Sequence, residues 1–187
     1  MVTKKGFART IRILLDNGFR FTLIGGTIVE LELKSKDLGT DIDLFAEEPG
    51  VLLGEQEYYE FAESQGWVVG QTWLGTPRLI ARIDQEEVPV EFYDNIYDFY
   101  VPDDMLKKAK KIKVEGVSIK AISLEDHIVL KANSGRGSDI ERLKEIGRLI
   151  KKKKLKIDPQ KIYESASLFD DEKVILRRII DSGIPLK

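Results

Sequence analysis

The chain has 187 residues, 42% hydrophobic and 33% charged, which suits one soluble globular domain or a core with an appended subdomain. It contains no cysteine, so disulfides and thiolate chemistry are excluded, and a net charge of −2 gives no global attraction to nucleic acid. No apolar run approaches the roughly 20 residues that span a bilayer, and the start lacks the apolar core of a signal peptide. A cytoplasmic location and no membrane partner are therefore expected.

In chain order, the spacing of Phe7, Ile11, Leu14 and Leu15 predicts a helix over 7–17, stopped by Gly18. A strand over 19–24 runs into Gly25-Gly26, and a short helix over 27–33 follows the glycine turn. Residues 34–39 read as a loop and 41–45 as a second strand. Pro49-Gly50 marks a turn, and a helix over 55–64 ends near Gly66. Alternating segments over 78–83 and 88–93 predict a hairpin around the charged turn 84–87, with Pro89 placing the second segment at an edge or delaying its start. Trp67 and Trp73 are expected in the core or at its rim.

After Pro102 the character changes. Residues 103–110 look helical, and a small hairpin is expected over 112–122 around Glu115-Gly116. From Ser123 on, helices are predicted over 124–133, 139–152, 159–166 and 171–181, the first opened by a capping box of Ser123 and Asp126. The expected organisation is an α/β catalytic half over 1–100 and a mostly helical half over 101–187. Lysines over 107–113 and 151–156 read first as solvated helix ends and only second as nucleic-acid patches.

The chemistry concentrates at Gly25-Gly26 and at Thr40-Asp41-Ile42-Asp43-Leu44-Phe45. Residues two apart on a strand share a face, so Asp41 and Asp43 project together while Ile42 and Leu44 enter the core. Like charges roughly 7 Å apart along a strand call for a cation between them. The glycines let a backbone turn approach a ligand closely, and a phosphate is the expected one, although a glycine pair alone also marks an ordinary tight turn. A phosphate cradle beside metal-binding carboxylates points to phosphoryl or nucleotidyl transfer. His127 is the single histidine, which excludes multi-histidine metal sites. Arg78 and Arg82 share a strand face, to contact nucleotide or to pair with Glu86 or Glu87.

The apolar residue, Gly25-Gly26, a helix and then Asp41-Ile42-Asp43-Leu44 resemble the signature of the nucleotidyltransferase superfamily that includes DNA polymerase beta, with a slightly longer spacer. Downstream, Leu130-Lys131 with Arg136 and Asp139 resembles a motif of the abortive-infection, toxin-like nucleotidyltransferases. Those enzymes often carry a second acid three residues after the first, where this chain has Arg142. The resemblance implies an α/β (α+β) fold, with a small mixed β-sheet core and an appended C-terminal helical subdomain. It also implies Mg2+ or Mn2+, an NTP substrate, an RNA 3′ end, protein or small-molecule acceptor, and an antitoxin partner.

On this resemblance Asp41, Asp43 and Glu91 form the catalytic and metal-binding set, with Asp94 the alternative third acid. Gly25, Gly26, Thr27, Lys131, Arg136 and Asp139 form the nucleotide- and phosphate-binding set. Lys131 has apolar neighbours, so it either snorkels to water or reaches into a site. Asp139 serves the site or caps the helix that follows it. Two other readings stand beside transfer. One is a sugar-nucleotide glycosyltransferase using Asp-x-Asp, which Gly-Gly and the helical spacer fit poorly. The other is a nucleotide-binding module of the same fold that lacks turnover.

Overall fold

Helix α1 (Lys4–Asp16) opens the computed structural model, which describes residues 1–186. Thr3 caps it, its hydroxyl accepting from the Gly6 N–H at 2.9 Å. Phe7, Ile11 and Leu14 form a fully buried stripe, each worth about 1.5–3 kcal/mol in apolar burial. That stripe turns to a sheet whose strand order is β3-β4-β5-β2-β1-β7-β6. The strands are β1 (Arg20–Ile24), β2 (Ile42–Glu48), β3 (Val68–Gln71), β4 (Pro77–Ile83), β5 (Glu86–Tyr93), β6 (Lys110–Val114) and β7 (Val117–Ala121). Strand β2 runs antiparallel to β1 and parallel to β5, and β1 runs parallel to β7, so the sheet is mixed. The helices are α1, α2 (Thr27–Glu32), α3 (Val51–Ser64), α4 (Asp103–Lys108), α5 (Leu124–Ser134), α6 (Gly137–Lys151), α7 (Pro159–Ala166) and α8 (Glu172–Asp181). Seven strands and eight helices among the described residues make a mixed α/β fold, as expected.

The chain forms two compact units: Met1–Tyr100 with Ala109–Ile122, and Val101–Lys108 with Ser123–Lys187. Lys187 itself, the last residue of the expected helical half, lies outside the described residues. The β6–β7 hairpin crosses the expected division at residue 100. Its turn residues Glu115 and Gly116 both have positive φ, 45° and 82°, and β7 pairs with β1 to extend the sheet.

In the first unit, α1 packs on β4, β5 and β7, and α3 on β3 and β4. Phe19, Tyr58 and Phe92 join these elements, with ring centroids 5.0 Å (Phe19–Tyr58) and 4.6 Å (Tyr58–Phe92) apart. Trp67 is buried with its ring 5.2 Å from Phe61, whereas Trp73 is exposed. Two expectations are corrected here, and one strand was not anticipated. Helix α3 starts at Val51, not near residue 55, because the Asp94 carboxylate accepts the Val51 N–H at 3.2 Å and supplies a cap from a distant loop. Strand β5 is interior rather than at an edge, and Pro89 is tolerated because the ladder to β2 begins one residue later, at Val90. Strand β3, a short edge strand without a buried face, carries no alternation to announce it.

In the second unit, α5 packs against α6, α7 and α8 through Ile128, Val129 and Ala132, all fully buried. The expected capping box is present: the Ser123 hydroxyl accepts from the Asp126 N–H at 3.0 Å, and Asp126 accepts from the Ser123 N–H at 3.1 Å. The other Asp126 oxygen accepts from the Ser165 hydroxyl of α7 at 2.5 Å. At the far end of α5, Arg178 of α8 donates to the carbonyls of Ala132 and Asn133 at 2.8 and 3.0 Å, and Gly135 closes the helix at φ 62°. No helix among the described residues is long and apolar enough to cross a membrane.

Candidate active site

One cross-strand rung gathers much of the expected chemistry. Arg78 of β4 is opposite Glu91 of β5, Glu91 is beside Asp43 of β2, and Asp43 is opposite Ile24, the last residue of β1. Paired residues on neighbouring strands point to the same face, and strands lie about 4.8 Å apart. The sheet therefore places the Asp43 and Glu91 carboxylates side by side although they are far apart in sequence. Val90, Phe92, Ile42 and Leu44 take the opposite face into the core and are fully buried, which fixes the direction of the acids.

Immediately after Ile24 the chain turns at Gly25 with φ 77°, a conformation that L side chains rarely adopt. A Cβ on Gly25 would stand 1.8 Å from an Asp43 carboxylate oxygen. The close approach that the glycine permits is thus first of all to Asp43. Gly26, the N-cap of α2, has open space where a Cβ would point. Thr27 is buried, and its hydroxyl donates to the carbonyls of Leu38 and Asp41 at 3.1 and 3.3 Å. Instead of reaching outward to a triphosphate, it ties the segment carrying Asp41 to the head of α2. Asp41 itself lies one residue before β2 begins.

Glu91 is hydrogen-bonded at one oxygen and has a cation beside the other. Arg78 Nε lies 3.2 Å from Oε1, and the Tyr93 hydroxyl donates to Oε2 at 2.5 Å. Tyr93 stacks on Phe99 with centroids 4.9 Å apart. Burial, then the charge of Asp43, then the hydrogen bond to Glu91 and the charges of Glu91 and Asp41 drive the Tyr93 hydroxyl far above the usual phenol range. The phenol stays protonated, and all three acids act on this one hydroxyl. Sequence reasoning missed Tyr93 although it stands two residues from Glu91, on the same strand face. Among the described residues no three Asp, Glu, His or Cys side chains already converge around a metal-sized point. The donor types nevertheless suit a hard divalent cation, since Asp43 and Glu91 are paired in register and the charge of Asp41 reaches the same Tyr93 hydroxyl. Asp94, the alternative third acid, is occupied elsewhere by the Val51 and Asn95 N–H groups.

The second unit carries the other expected residues. Asp139, almost fully buried, accepts from Lys131 Nζ, Arg136 Nε and the Ser134 hydroxyl, each at 2.7 Å. Burial raises its carboxyl, but the hydrogen bonds from Arg136, Lys131 and Ser134 outweigh that and hold it below the usual carboxylate range. Arg136, not Asp139, is the N-cap of α6, so the capping reading of Asp139 is replaced by a buried ion cluster. Lys131 likewise neither snorkels freely nor stands alone. His127, one turn before Lys131, is buried, and its Nε2 has no hydrogen-bond partner among the described residues. Burial, followed by the charges of Lys131 and Arg142, lowers its pKa from 6.5 to about 3, so it is neutral.

A family model described as "Nucleotidyl transferase of unknown function (DUF2204)" matches residues 3–181. No curated protein matches the chain in sequence. Among solved structures, an antigenic nucleotidyltransferase-like protein from Paracoccidioides brasiliensis aligns at 13% identity and a TM-score of 0.49, over 97% of this chain and 77% of that one. The solution structure of the antibiotic-resistance factor ANT(2'')-Ia aligns at 15% identity and 0.45, over 95% of this chain and 86% of that one. The crystal structure of ANT(2'')-Ia with adenylyl-2''-tobramycin aligns at 19% and 0.44, over 95% of both chains.

Proposed function

The chain belongs to the DUF2204 family of nucleotidyl transferases, and from that premise we propose that it moves a nucleoside monophosphate from an NTP to an acceptor hydroxyl. The acceptor oxygen forms a bond to the α-phosphorus, the bond from that phosphorus to the bridging oxygen breaks, and the electron pair leaves with pyrophosphate. The observation that carries this reading is the pairing of Asp43 with Glu91 in register, with Asp43 tucked against the Gly25 turn.

Asp41, Asp43 and Glu91 are assigned as ligands of Mg2+ or Mn2+, which take hard oxygen donors. When bound, the cation supplies positive charge to phosphate and acceptor oxygens. Glu91 is assigned to the acceptor side, aligning the hydroxyl or taking its proton. Tyr93 fixes the direction of the Glu91 carboxylate through its hydrogen bond, so that acid is oriented before the reaction begins. Gly25-Gly26 offers main chain without side chains to the phosphates. Lys131 and Arg136 are assigned to phosphate contacts, with Asp139 fixing both cations. Thr27 is assigned to positioning Asp41.

The acceptor classes are an RNA 3′ end, a protein hydroxyl and a small molecule. A toxin role with an antitoxin partner rests on the second motif alone. Growth arrest on expression of the parent, and not of Asp43→Asn, would support it. Transfer itself is tested by incubating the protein with each labelled NTP, a divalent metal and a pool of RNA, protein or metabolites. Pyrophosphate release with label in one pool, both lost in Asp43→Asn, is the expected result. Nucleotide binding without pyrophosphate or label overturns transfer and leaves a binding module.

A further inference from the structure

The rung that holds the acids contains its own cation. Arg78 and Asp43 flank Glu91 from the two neighbouring strands, so Glu91 has a positive group on one side and a like charge on the other. Two carboxylates in register on adjacent strands repel each other, and a cation beside them offsets that cost. Arg78 is the group placed to do so. Its contact is nevertheless loose for an Arg–carboxylate pair, with Nε 3.2 Å from Glu91 and without hydrogen-bond geometry. Bidentate pairs at about 2.7–2.9 Å are the strong arrangement. The Arg78 side chain is 40% exposed and that of Glu91 15%, while Arg78 Nε itself is buried without a hydrogen-bond partner among the described residues. Tyr93 holds the other Glu91 oxygen through a 2.5 Å bond from a ring stacked on Phe99. Glu91 is therefore anchored by a hydrogen bond from Tyr93 and faced by a cation that makes none to it.

We propose that Arg78 is an internal counter-cation for the Asp43–Glu91 pair and that a divalent metal displaces it from Glu91 when the site loads. This deepens the proposed function and rests on its assignment of Asp43 and Glu91 to the metal. Arg78 is a positioning residue in this account. It keeps the metal-free acids together and competes with the metal for one of them. The two roles have opposite consequences when Arg78 is removed. Metal-free protein becomes less stable, whereas metal binding becomes tighter. A residue that only packs the sheet would lower both.

The test measures Mn2+ binding by electron paramagnetic resonance in the absence of nucleotide, together with melting temperature with and without saturating Mn2+. Arg78→Met keeps the apolar stem and removes the charge. It is expected to melt below the parent without metal, to bind Mn2+ about tenfold more tightly, and to close most of the melting gap once Mn2+ is added. Arg78→Lys, which retains the charge, is expected to stay near the parent in both measurements. Unchanged or weaker Mn2+ binding by Arg78→Met, with the parent's own binding abolished by Asp43→Asn, overturns the counter-cation and leaves the metal site standing. Mn2+ binding absent from both the parent and Arg78→Met overturns the metal assignment and the inference with it. Should Arg78→Met fail to fold, the double variant Arg78→Met/Glu91→Gln removes the repelling charge as well. It is expected to fold and melt near the parent, and its failure to do so overturns the proposal.

Discussion

Gly25 meets two constraints at once: a φ of 77° and an Asp43 carboxylate where its side chain would be. Gly25→Ala therefore adds about 1–2 kcal/mol of backbone strain to a steric conflict that must push Asp43 away. The expected outcome is a lower melting temperature together with loss of pyrophosphate release, whereas Gly26→Ala, with open space at its Cα, should keep the parent's stability. Equal melting of the two variants would sink this account of the turn. His127 permits a different test. Its pKa in the fold is about 3 against 6.5 unfolded, so the native state disfavours the protonated form. Its contribution to stability is complete above pH 6.5 and is lost as pH falls from there toward 3, at up to about 1.4 kcal/mol per pH unit. His127→Leu should flatten the stability profile between pH 6.5 and 4 in calorimetry. An unchanged slope there would mean that His127 is accessible to protons. Asp139 acts in a lower window: its carboxyl lies below 3.8, so the cluster with Lys131 and Arg136 weakens only as pH falls below that value.

At the scale of elements, what matters is which end of which helix or strand a side chain serves. Asp94 follows β5 closely enough to resemble a third acid, yet its carboxylate receives the first N–H of α3. Asp94→Ala should cost about 0.5–2 kcal/mol through the lost cap while metal binding and turnover stay near the parent. Glu91→Gln, on the strand itself, should abolish turnover with only a modest loss of NTP affinity. The reverse ranking in steady-state kinetics would move the third acid to Asp94. Strand β5 shows the same dependence on partners. Pro89 reads as an edge signal because it cannot donate to a ladder, but the ladder on its β2 side starts at Val90. Helix α5 is the opposite case, since its capping box is complete within Ser123–Asp126 and needs no distant partner.

For the whole molecule, clustered carboxylates repel one another, a cost in stability that functional sites commonly carry. Asp41 contributes its carbonyl to Thr27, and that bond survives a change of side chain. Metal-free Asp41→Asn should consequently melt no lower than the parent. Magnesium with NTP should raise the parent's melting temperature through binding linkage, by about 2.7 kcal/mol of stabilisation at 100 times the dissociation constant, and raise the mutant's far less. Strong destabilisation of metal-free Asp41→Asn would make Asp41 a structural residue.

Local patterns in the sequence determined most helices, the glycine turn, the outward direction of Asp43 and Glu91, and the hairpin at Glu115-Gly116. Each depends on periodicity or turn chemistry within a few residues. Tertiary structure alone decided that Arg78, Glu91 and Asp43 share one rung, that Gly25 abuts Asp43, and that Asp94 caps α3. It also decided that β6 and β7 complete the sheet and that Lys131 and Arg136 converge on Asp139. Strand register and side-chain partnership join residues far apart in the chain, and no local period encodes them. Edge strand β3 escaped notice for the related reason that it buries no face. The residue types therefore announced the chemistry, and the pairing of β4, β5, β2 and β1 decided which of their side chains stand together.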